Sequence, residues 1–505
     1  MQEILINIEA GERRVAVLRE GKLEWYFVER VSGKRIVGNI YKAKVSSVLN
    51  GMGAAFIDCG LGKNGFLYVS DLVSPVVGED FEDGLMPPVE NVAIPDKDKV
   101  KITDMLKKDQ DIMVQIVKEG IGTKGPRLTS QISLAGRYLV LMPSLKRIGV
   151  SRKIRDNQER QRIKKILQSL KLPSSVGVVA RTAASGYGKK EFQKDSKYLI
   201  ETYKKINGSY QELQAPSLLF EELDLSLSTI RDFLNEETKT IVVDDKAEYN
   251  KIRQFVNNIS SGFSTKIRFH TEELSLFEKF GLEKEIDKLF ERKIYLKCGG
   301  YIIIEQTEGM ITIDVNSGKF TGKKNLEETV FKVNCEAAQE IARQLRLRDA
   351  GGIVVIDFID MHSQEHRREL FSTLENSLKK DKAKTNIISL SELDIVEMTR
   401  QRVRRSLESV SYRSCSHCEG RGIVKSSETM VITALRKLNS FLKTNRLKRA
   451  PIELIVHPDI AGRLVNQDAA SLDILRKKFK KQITVVSDDS LHIEDVKIAF
   501  VQRGK

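Results

Sequence analysis

The sequence predicts a multidomain α/β protein, and three observations carry that reading. The chain has 505 residues, enough for three or four domains of about 150 residues each. Hydrophobic residues make up 41% and charged residues 30%, with only 10 prolines; this is globular composition without long linkers. Strand-like apolar runs and helix-periodic segments are interspersed from one end to the other.

Residues 1–34 read as a β meander. Ile4, Ile6 and Ile8 alternate with other residues, and Val15-Ala16-Val17-Leu18 follows a Gly-Glu-Arg turn. The piece is too short to be a domain, so it needs a partner later in the chain. Residues 35–129 hold short strands joined by glycine turns, the signature of a small barrel. The strands are Ile36 to Val45, Ala54 to Gly60, Gly65 to Ser70 and Ile112 to Val117, and residues 72–98 form an inserted loop rich in proline and acids. Phe56, Phe66 and Tyr68 lie among Lys42, Lys44 and Lys63. Aromatic faces beside cations suit single-stranded nucleic acid, where every base stacks and every phosphate needs a charge. With G-N-I-Y-K-A-K-V, N-G-M-G-A-A-F-I-D and N-G-F-L-Y-V-S-D-L in order, this stretch resembles the S1-type OB-fold RNA-binding domain.

Residues 130–224 begin with a basic region: nine Lys/Arg against two acids in 143–165. The apolar strand Val176 to Ala180 then ends in Arg181-Thr182 near Gly186. Arginine offers a fork and threonine a hydroxyl to phosphate oxygens, though an ordinary strand end has the same look. Residues 225–290 mix a strand, Thr240 to Asp244, with helical segments, and are the natural mate of 1–34. The domains between would then be insertions.

The chemistry concentrates in 291–411. Strands Gly300–Gln306 and Met310–Gly318 flank a Thr-Glu-Gly turn. A helix follows with Asn325 as N-cap and Glu328 three positions on, and Val330, Val333, Ala337, Ile341 and Leu345 form its buried stripe. After Gly351-Gly352 comes Ile353 to Asp360, nearly all apolar, which predicts a strand covered on both faces. Two apolar strands therefore end in carboxylates, Asp314 and Asp357. Such charges are costly without a partner, and a pair of them on neighbouring strands would hold Mg²⁺. Asn316 shares the face of Asp314. From these residues alone, surface ion pairs are an equally good account.

The segments I-D-V-N-S-G (313–318), N-C-E-A-A (334–338), R-Q-L-R-L-R-D (343–349), G-G through I-D-F-I-D-M (351–361) and R-Q-R (400–402) resemble the ribonuclease E/G family across essentially the whole chain. The resemblance implies an RNase H-like domain split between 1–34 and 225–290. Into it are inserted the OB-fold (35–129) and a 5′-sensor domain (130–224). A DNase I-like catalytic domain (291–411) follows. It implies Asp314 and Asp357 as Mg²⁺ ligands and Asn316 at the scissile phosphate. It also implies a 5′-monophosphate pocket at Gly136, Val140, Arg152, Arg181 and Thr182, and RNA contacts at Phe56, Phe66, Lys124 and Arg348.

Of the five cysteines, Cys415 and Cys418 form a C-x-x-C followed by glycine turns, too few in all for a secreted disulfide framework. A metal knuckle supplies two of the four ligands that structural Zn²⁺ needs. The resemblance identifies 412–425 as a zinc link whose other ligands come from a second subunit. His417 as a third ligand and a redox C-x-x-C are the competing readings. Residues 426–505 read as a small α/β oligomerisation domain, and a chain without a degradosome-type scaffold tail is expected. A homodimer is expected, with pairing into tetramers left open.

The formal charge of +15 favours a polyanionic partner. No apolar run approaches the ~20 residues of a membrane span, and the start lacks a signal peptide, so a cytoplasmic protein is expected. The expected activity is cleavage of single-stranded RNA to 5′-phosphate and 3′-hydroxyl ends in rRNA and tRNA processing and mRNA decay. A non-catalytic RNA-binding factor and a DNA nuclease are the alternatives.

Overall fold

The computed structural model describes residues 1–30, 35–73, 101–120, 124–144, 148–151, 153–154, 156–173, 176–259, 265–307, 309–318, 326–390, 395–401, 406–413, 415–448 and 450–501. The chain divides into two compact units, Met1–Val410 and Ser411–Lys505.

The first strands of the chain enter a five-stranded sheet in the order Lys266–Phe269, Thr238–Val243, Gln2–Glu9, Glu12–Arg19, Lys22–Arg30. Gln2–Glu9 runs antiparallel to its hairpin partner and parallel to Thr238–Val243. Residues more than 230 positions apart thus share one sheet. Ile4 and Ile6 pack with Ile230, Ile241 and Ile252 on one face, while Leu5, Ala16 and Leu23 pack with Phe277 and Leu282 on the other. Ile4, Leu5 and Ile6 are all fully buried. The alternation expected of this strand is therefore overridden by a sheet covered on both sides.

Between these halves lies a closed barrel. Ile40–Leu49, Ala54–Asp58, Gly65–Tyr68, Arg127–Thr129 and Asp111–Lys118 pair in that order, and the last closes on the first with Ile40 opposite Gln115. Gly65 permits this closure, because a Cβ there would lie 2.5 Å from Leu128 Cδ1. Most of the expected loop insertion, residues 74–98, lies outside the described residues. A third sheet, Ile148–Val150, Gly177–Ala180, Leu139–Met142 and Leu134–Ala135, packs on helices Asn157–Gln168 and Lys189–Glu212 through Ile163, Leu167, Phe192 and Leu199.

The fourth sheet carries the carboxylates. Its order is Lys293–Tyr295, Tyr301–Gln306, Met310–Asn316, Gly352–Asp357, Ile395–Arg400, Thr385–Leu390. Met310–Asn316 and Gly352–Asp357 are parallel, joined by helix Leu326–Leu347. That helix and Gln364–Leu378 cover one face through Val333, Ala337, Ile341, Leu345, Leu370 and Leu374. Asn325, expected as its N-cap, lies outside the described residues. The other face is open: Tyr295, Met310 and Ile353 are 72%, 41% and 50% exposed. This corrects the expectation that the Ile353–Asp360 run is covered on both sides. Its branched residues alternate between core (Val354, Ile356) and an open surface (Ile353). The unit 411–505 has a three-stranded sheet, Ile483–Ser487, Ile452–Val456, Val496–Phe500, with helices Ser427–Thr444, Pro458–Asn466 and Ala469–Phe479.

Candidate active site and RNA-facing surfaces

In the parallel pairing of Met310–Asn316 with Gly352–Asp357, Asp314 is the direct register partner of Asp357. Register partners on neighbouring strands, about 4.8 Å apart, project to the same face. Their neighbours along each strand, Ile313, Val315 and Ile356, are buried against the helices, which forces both carboxylates outward to the open face. Asn316, two residues on, donates from Nδ2 to Asp314 Oδ2 at 2.6 Å. The segment after Asp357 is pinned from beneath: fully buried Asn334 donates to the Ile359 carbonyl at 2.8 Å and accepts from its N–H at 3.1 Å. That asparagine sits within the N-C-E-A-A segment, but nothing in its spacing announced a clasp to a strand end.

Among the described residues neither carboxylate has a cationic partner. The Asp357 carboxyl is pushed up from its usual range by partial burial, then by the negative charges of Asp314 and Asp360. Unrelieved like charge of this kind is what a cation removes. The donor set fits Mg²⁺: two hard carboxylate oxygens and room left for water and phosphate oxygens. No cluster of three or more metal-ligating side chains is formed among the described residues.

Arg181, at the end of strand Gly177–Ala180, donates from Nη1 to the Gly136 carbonyl and to Asp232 Oδ1, both at 2.8 Å. Burial acts to raise the Asp232 carboxyl, but Arg231 and Arg181 overcome it and hold it well below the usual range. Thr182 Oγ1 lies 3.3 Å from Ser151 Oγ. Gly136 is tightly confined, since a Cβ there would sit 2.6 Å from the Asp195 carboxylate. Asp195 in turn accepts the N–H groups of Arg137, Tyr138 and Leu139. Arg181 and Thr182 line an open cleft of about 1100 Å³ with Arg137 and Lys153, and Lys379 and Lys382 stand on its lining too. Val140 is 3% exposed, within a small core with Met142 and Val179, so its side chain does not reach the cleft. Arg152 lies outside the described residues. Asp232 was missed by sequence reasoning. It is 51 positions from Arg181 and on a helix, so no local pattern links them.

In the barrel, Phe56 and Phe66 are register partners with rings edge to face at 5.1 Å, and Tyr68 extends the ladder at 4.7 Å. The Arg127 guanidinium lies 5.4 Å over Tyr68, held by Asp71 at 3.0 and 3.1 Å. Lys124 is exposed. Lys42 is drawn elsewhere, donating to the carbonyls of Tyr210 and Leu213. Arg348 is likewise not at a surface: it is 4% exposed and ties Gln344 Oε1 to the Glu291 carbonyl at 2.9 and 2.7 Å. Of the expected RNA contacts, Arg348 is thus the one that the fold holds in its interior.

In the second unit the Cys418 thiol accepts the Gly422 N–H at 3.3 Å. Glu419, Gly420 and Gly422 have positive φ, which turns the backbone around the sulfur. The exposed Cys415 thiol is lowered by N–H groups of Cys418 and His417. The two cysteines thus stand on one turn and present two sulfur donors, the number a knuckle contributes to a four-ligand site.

Comparison with known proteins bears on the family of the chain. Residues 133–403 match the Ribonuclease E/G family, and residues 414–503 match the RNase E/G, Thioredoxin-like domain. The chain is 42% identical to Ribonuclease G of Escherichia coli strain K12 over 439 residues, covering 86% of this chain and 87% of the relative. It is 38% identical to Ribonuclease G of Haemophilus influenzae over 436 residues, again 86% and 87%. Identity to Ribonuclease E of Escherichia coli strain K12 is lower, 33% over 510 residues, spanning all of this chain and 46% of that protein. A family match over more than half the chain and close relatives along most of its length leave one conclusion: the chain belongs to the ribonuclease E/G family.

Proposed function

We propose that this chain is a Mg²⁺-dependent endoribonuclease that cuts single-stranded RNA to 5′-phosphate and 3′-hydroxyl ends. The endoribonuclease class follows from family membership. The finer reading rests on one observation above all, the register pairing of Asp314 with Asp357 on an open sheet face.

Asp314 and Asp357 would hold the Mg²⁺, which when bound supplies charge neutralisation at the phosphate and an acidified water. The protein's own part is positional. Asn316 spends one N–H on Asp314 and has a second to offer a phosphate oxygen. The core beneath fixes both strands, so the two carboxylates keep their separation without reorganisation. Attack by water in line with the departing 3′-oxygen leaves phosphate on the 5′ end of the downstream product.

The aromatic ladder Phe56–Phe66–Tyr68, with exposed Lys124, suits stacking of unpaired bases. The Arg181–Thr182 cleft suits a 5′-monophosphate, which would favour the productive complex. Cys415 and Cys418 would share Zn²⁺ with the same pair of a second copy, giving a homodimer, with a tetramer of paired dimers a further assembly. We place the protein in the cytoplasm, acting in rRNA and tRNA processing and mRNA decay.

The test is incubation with a 5′-monophosphorylated A/U-rich oligoribonucleotide, with and without Mg²⁺, followed by end-group mapping. Internal cuts with 5′-phosphate ends, only with Mg²⁺ and not on the matching DNA, are expected. Binding without cleavage would favour the non-catalytic RNA-binding factor, and equal cutting of DNA would favour a general nuclease.

A further inference from the structure

The open face of the catalytic sheet is chemically lopsided. On one side of the carboxylate pair, strand Ile395–Arg400 places Glu397 opposite Val355. On the other side, Lys293, Tyr295 and Tyr301 stand together. Tyr295 and Tyr301 are register partners, with ring centroids 6.2 Å apart and edge to face. The Lys293 ammonium lies 3.7 Å from the Tyr301 ring centroid and 5.0 Å from that of Tyr295. Tyr301 is the direct register partner of Asn316, so the cluster shares the face of Asp314. Tyr301 stands one strand over, about 4.8 Å, and one two-residue step, about 6.7 Å, from that aspartate, and Lys293 and Tyr295 stand two strands over, about 9.6 Å.

Tyr295 is 72% exposed, so burial does not explain it. The turn after Asn316 keeps the approach low: Gly318 has φ +60°, and a Cβ there would already touch Tyr301 Cδ1 at 3.5 Å and clash with the Gly299 carbonyl at 2.6 Å. Two rings with a shared cation, beside a carboxylate pair whose like charge calls for a cation, are what an unpaired nucleotide recognises: a π face to stack on and a charge for its phosphate.

We propose that Lys293, Tyr295 and Tyr301 form a base-stacking subsite that holds one nucleotide within two positions of the scissile phosphate. The proposal rests on the reading of Asp314 and Asp357 as the cleavage centre. The subsite accepts any base, because stacking has no hydrogen-bond code, and it sets the direction in which the strand leaves the site.

The experiment is an abasic scan. A single-site oligoribonucleotide is prepared with the base removed at each position in turn and tested with the wild type and with Tyr295→Ala/Tyr301→Ala. In the wild type, one position within two nucleotides of the cut should raise KM by roughly 10- to 100-fold. In the double variant that penalty should vanish, its KM for the intact substrate having already risen by a similar factor, while penalties at distant positions persist. Tyr295→Phe/Tyr301→Phe, which keeps the rings, should restore wild-type KM. Tyr295→Ala alone guards against misfolding, because so exposed a side chain is not needed for the core. The same scan read as equilibrium binding in an Asp357→Asn background separates the two ideas. If the wild type fails to cut but the position-specific binding loss remains, the cleavage reading falls and the subsite stands. A uniform abasic penalty, identical in wild type and double variant, overturns the subsite.

Discussion

The strand Gly352–Asp357 meets charge at both ends and treats it in opposite ways. At its start, Gly352 is paired with Arg400, which is 2% exposed. Arg400 Nε donates to Asp381 Oδ2 at 2.8 Å, and Nη1 to Asp349 Oδ1 at 2.8 Å and to the Ala350 carbonyl at 3.1 Å. Burial alone would lower this guanidinium, but the two carboxylates overcome it and hold it charged. At the strand's end, Asp357 faces Asp314 with no cationic partner among the described residues. One end is buried and charge-compensated and clamps the helix end to the sheet. The other is exposed and uncompensated. Within a single six-residue strand the fold separates charge that stabilises from charge held ready for a ligand.

The sharpest way to break this comparison is to neutralise the open end. Asp357→Asn or Asp314→Asn should lower the cleavage rate by at least about 10³-fold, the scale of losing several kcal/mol of metal-assisted stabilisation. Because the change removes a like-charge repulsion, the thermal midpoint without Mg²⁺ should stay the same or rise. Substantial residual cutting by either purified variant, or a marked fall in its midpoint, would mean these acids are structural.

The closed end should behave in the reverse sense. Arg400→Met leaves Asp349 and Asp381 buried without their cation, a loss of about 3–5 kcal/mol. It should appear as a large drop in the urea midpoint of the 1–410 unit, with cleavage per folded molecule little changed. A midpoint within experimental error of wild type would show that the cluster does not clamp the sheet.

These two ends were unequally legible in the sequence. The carboxylates stood out because acids terminating apolar strands violate the usual pattern and because the surrounding segments resemble a known family. Arg400 was noticed only as part of a matching R-Q-R. Its partners are 19 and 51 positions away, and pairing at that distance leaves no periodic trace. The mixed α/β character and the closed barrel were legible from strand runs and glycine turns. Burial on both faces at Leu5, and its absence at Ile353, were not, because a run of branched residues reads the same whether one face or two are covered. Lys293, Tyr295 and Tyr301 escaped for a similar reason: tyrosines are favoured in strands in any case, and only register shows which ones stand beside the acids.

Arg181 and Asp232 occupy middle ground, a nearly buried pair on the rim of an open cleft. Asp232 shares its charge between Arg181 and Arg231, so Arg181 is oriented without being fully neutralised. Arg181→Ala should abolish the rate advantage of 5′-monophosphorylated over 5′-hydroxyl substrates while Mg²⁺-dependent cutting persists. Arg181→Lys, which keeps charge but loses the fork, should recover only part of it. An unchanged ratio of rates would place any 5′-end sensing elsewhere.

The smallest effect belongs to a solvent-facing pair near the same cleft. Glu159 accepts from Arg162 at 2.6 and 2.7 Å and from the Gly186 N–H at 2.8 Å, joining helix Asn157–Gln168 to the loop after Thr182. The Arg162 hydrogen bonds, then that of Gly186, lower its carboxyl to about 2. Since the folded value lies below the unfolded one, this group stabilises the fold above about pH 4.5, and that contribution drains away as pH falls toward 2. Solvent screening limits it to about 0.5 kcal/mol, the scale of an exposed pair. Glu159→Gln should therefore cost about that much at pH 7 and progressively less as pH falls from about 4.5 through about 2, so the acid limb of its midpoint-against-pH curve is shallower than that of the wild type. Parallel curves for the two proteins across this range would show that the carboxylate does not join helix to loop, leaving the buried Arg181–Asp232 pair to hold that wall of the cleft alone.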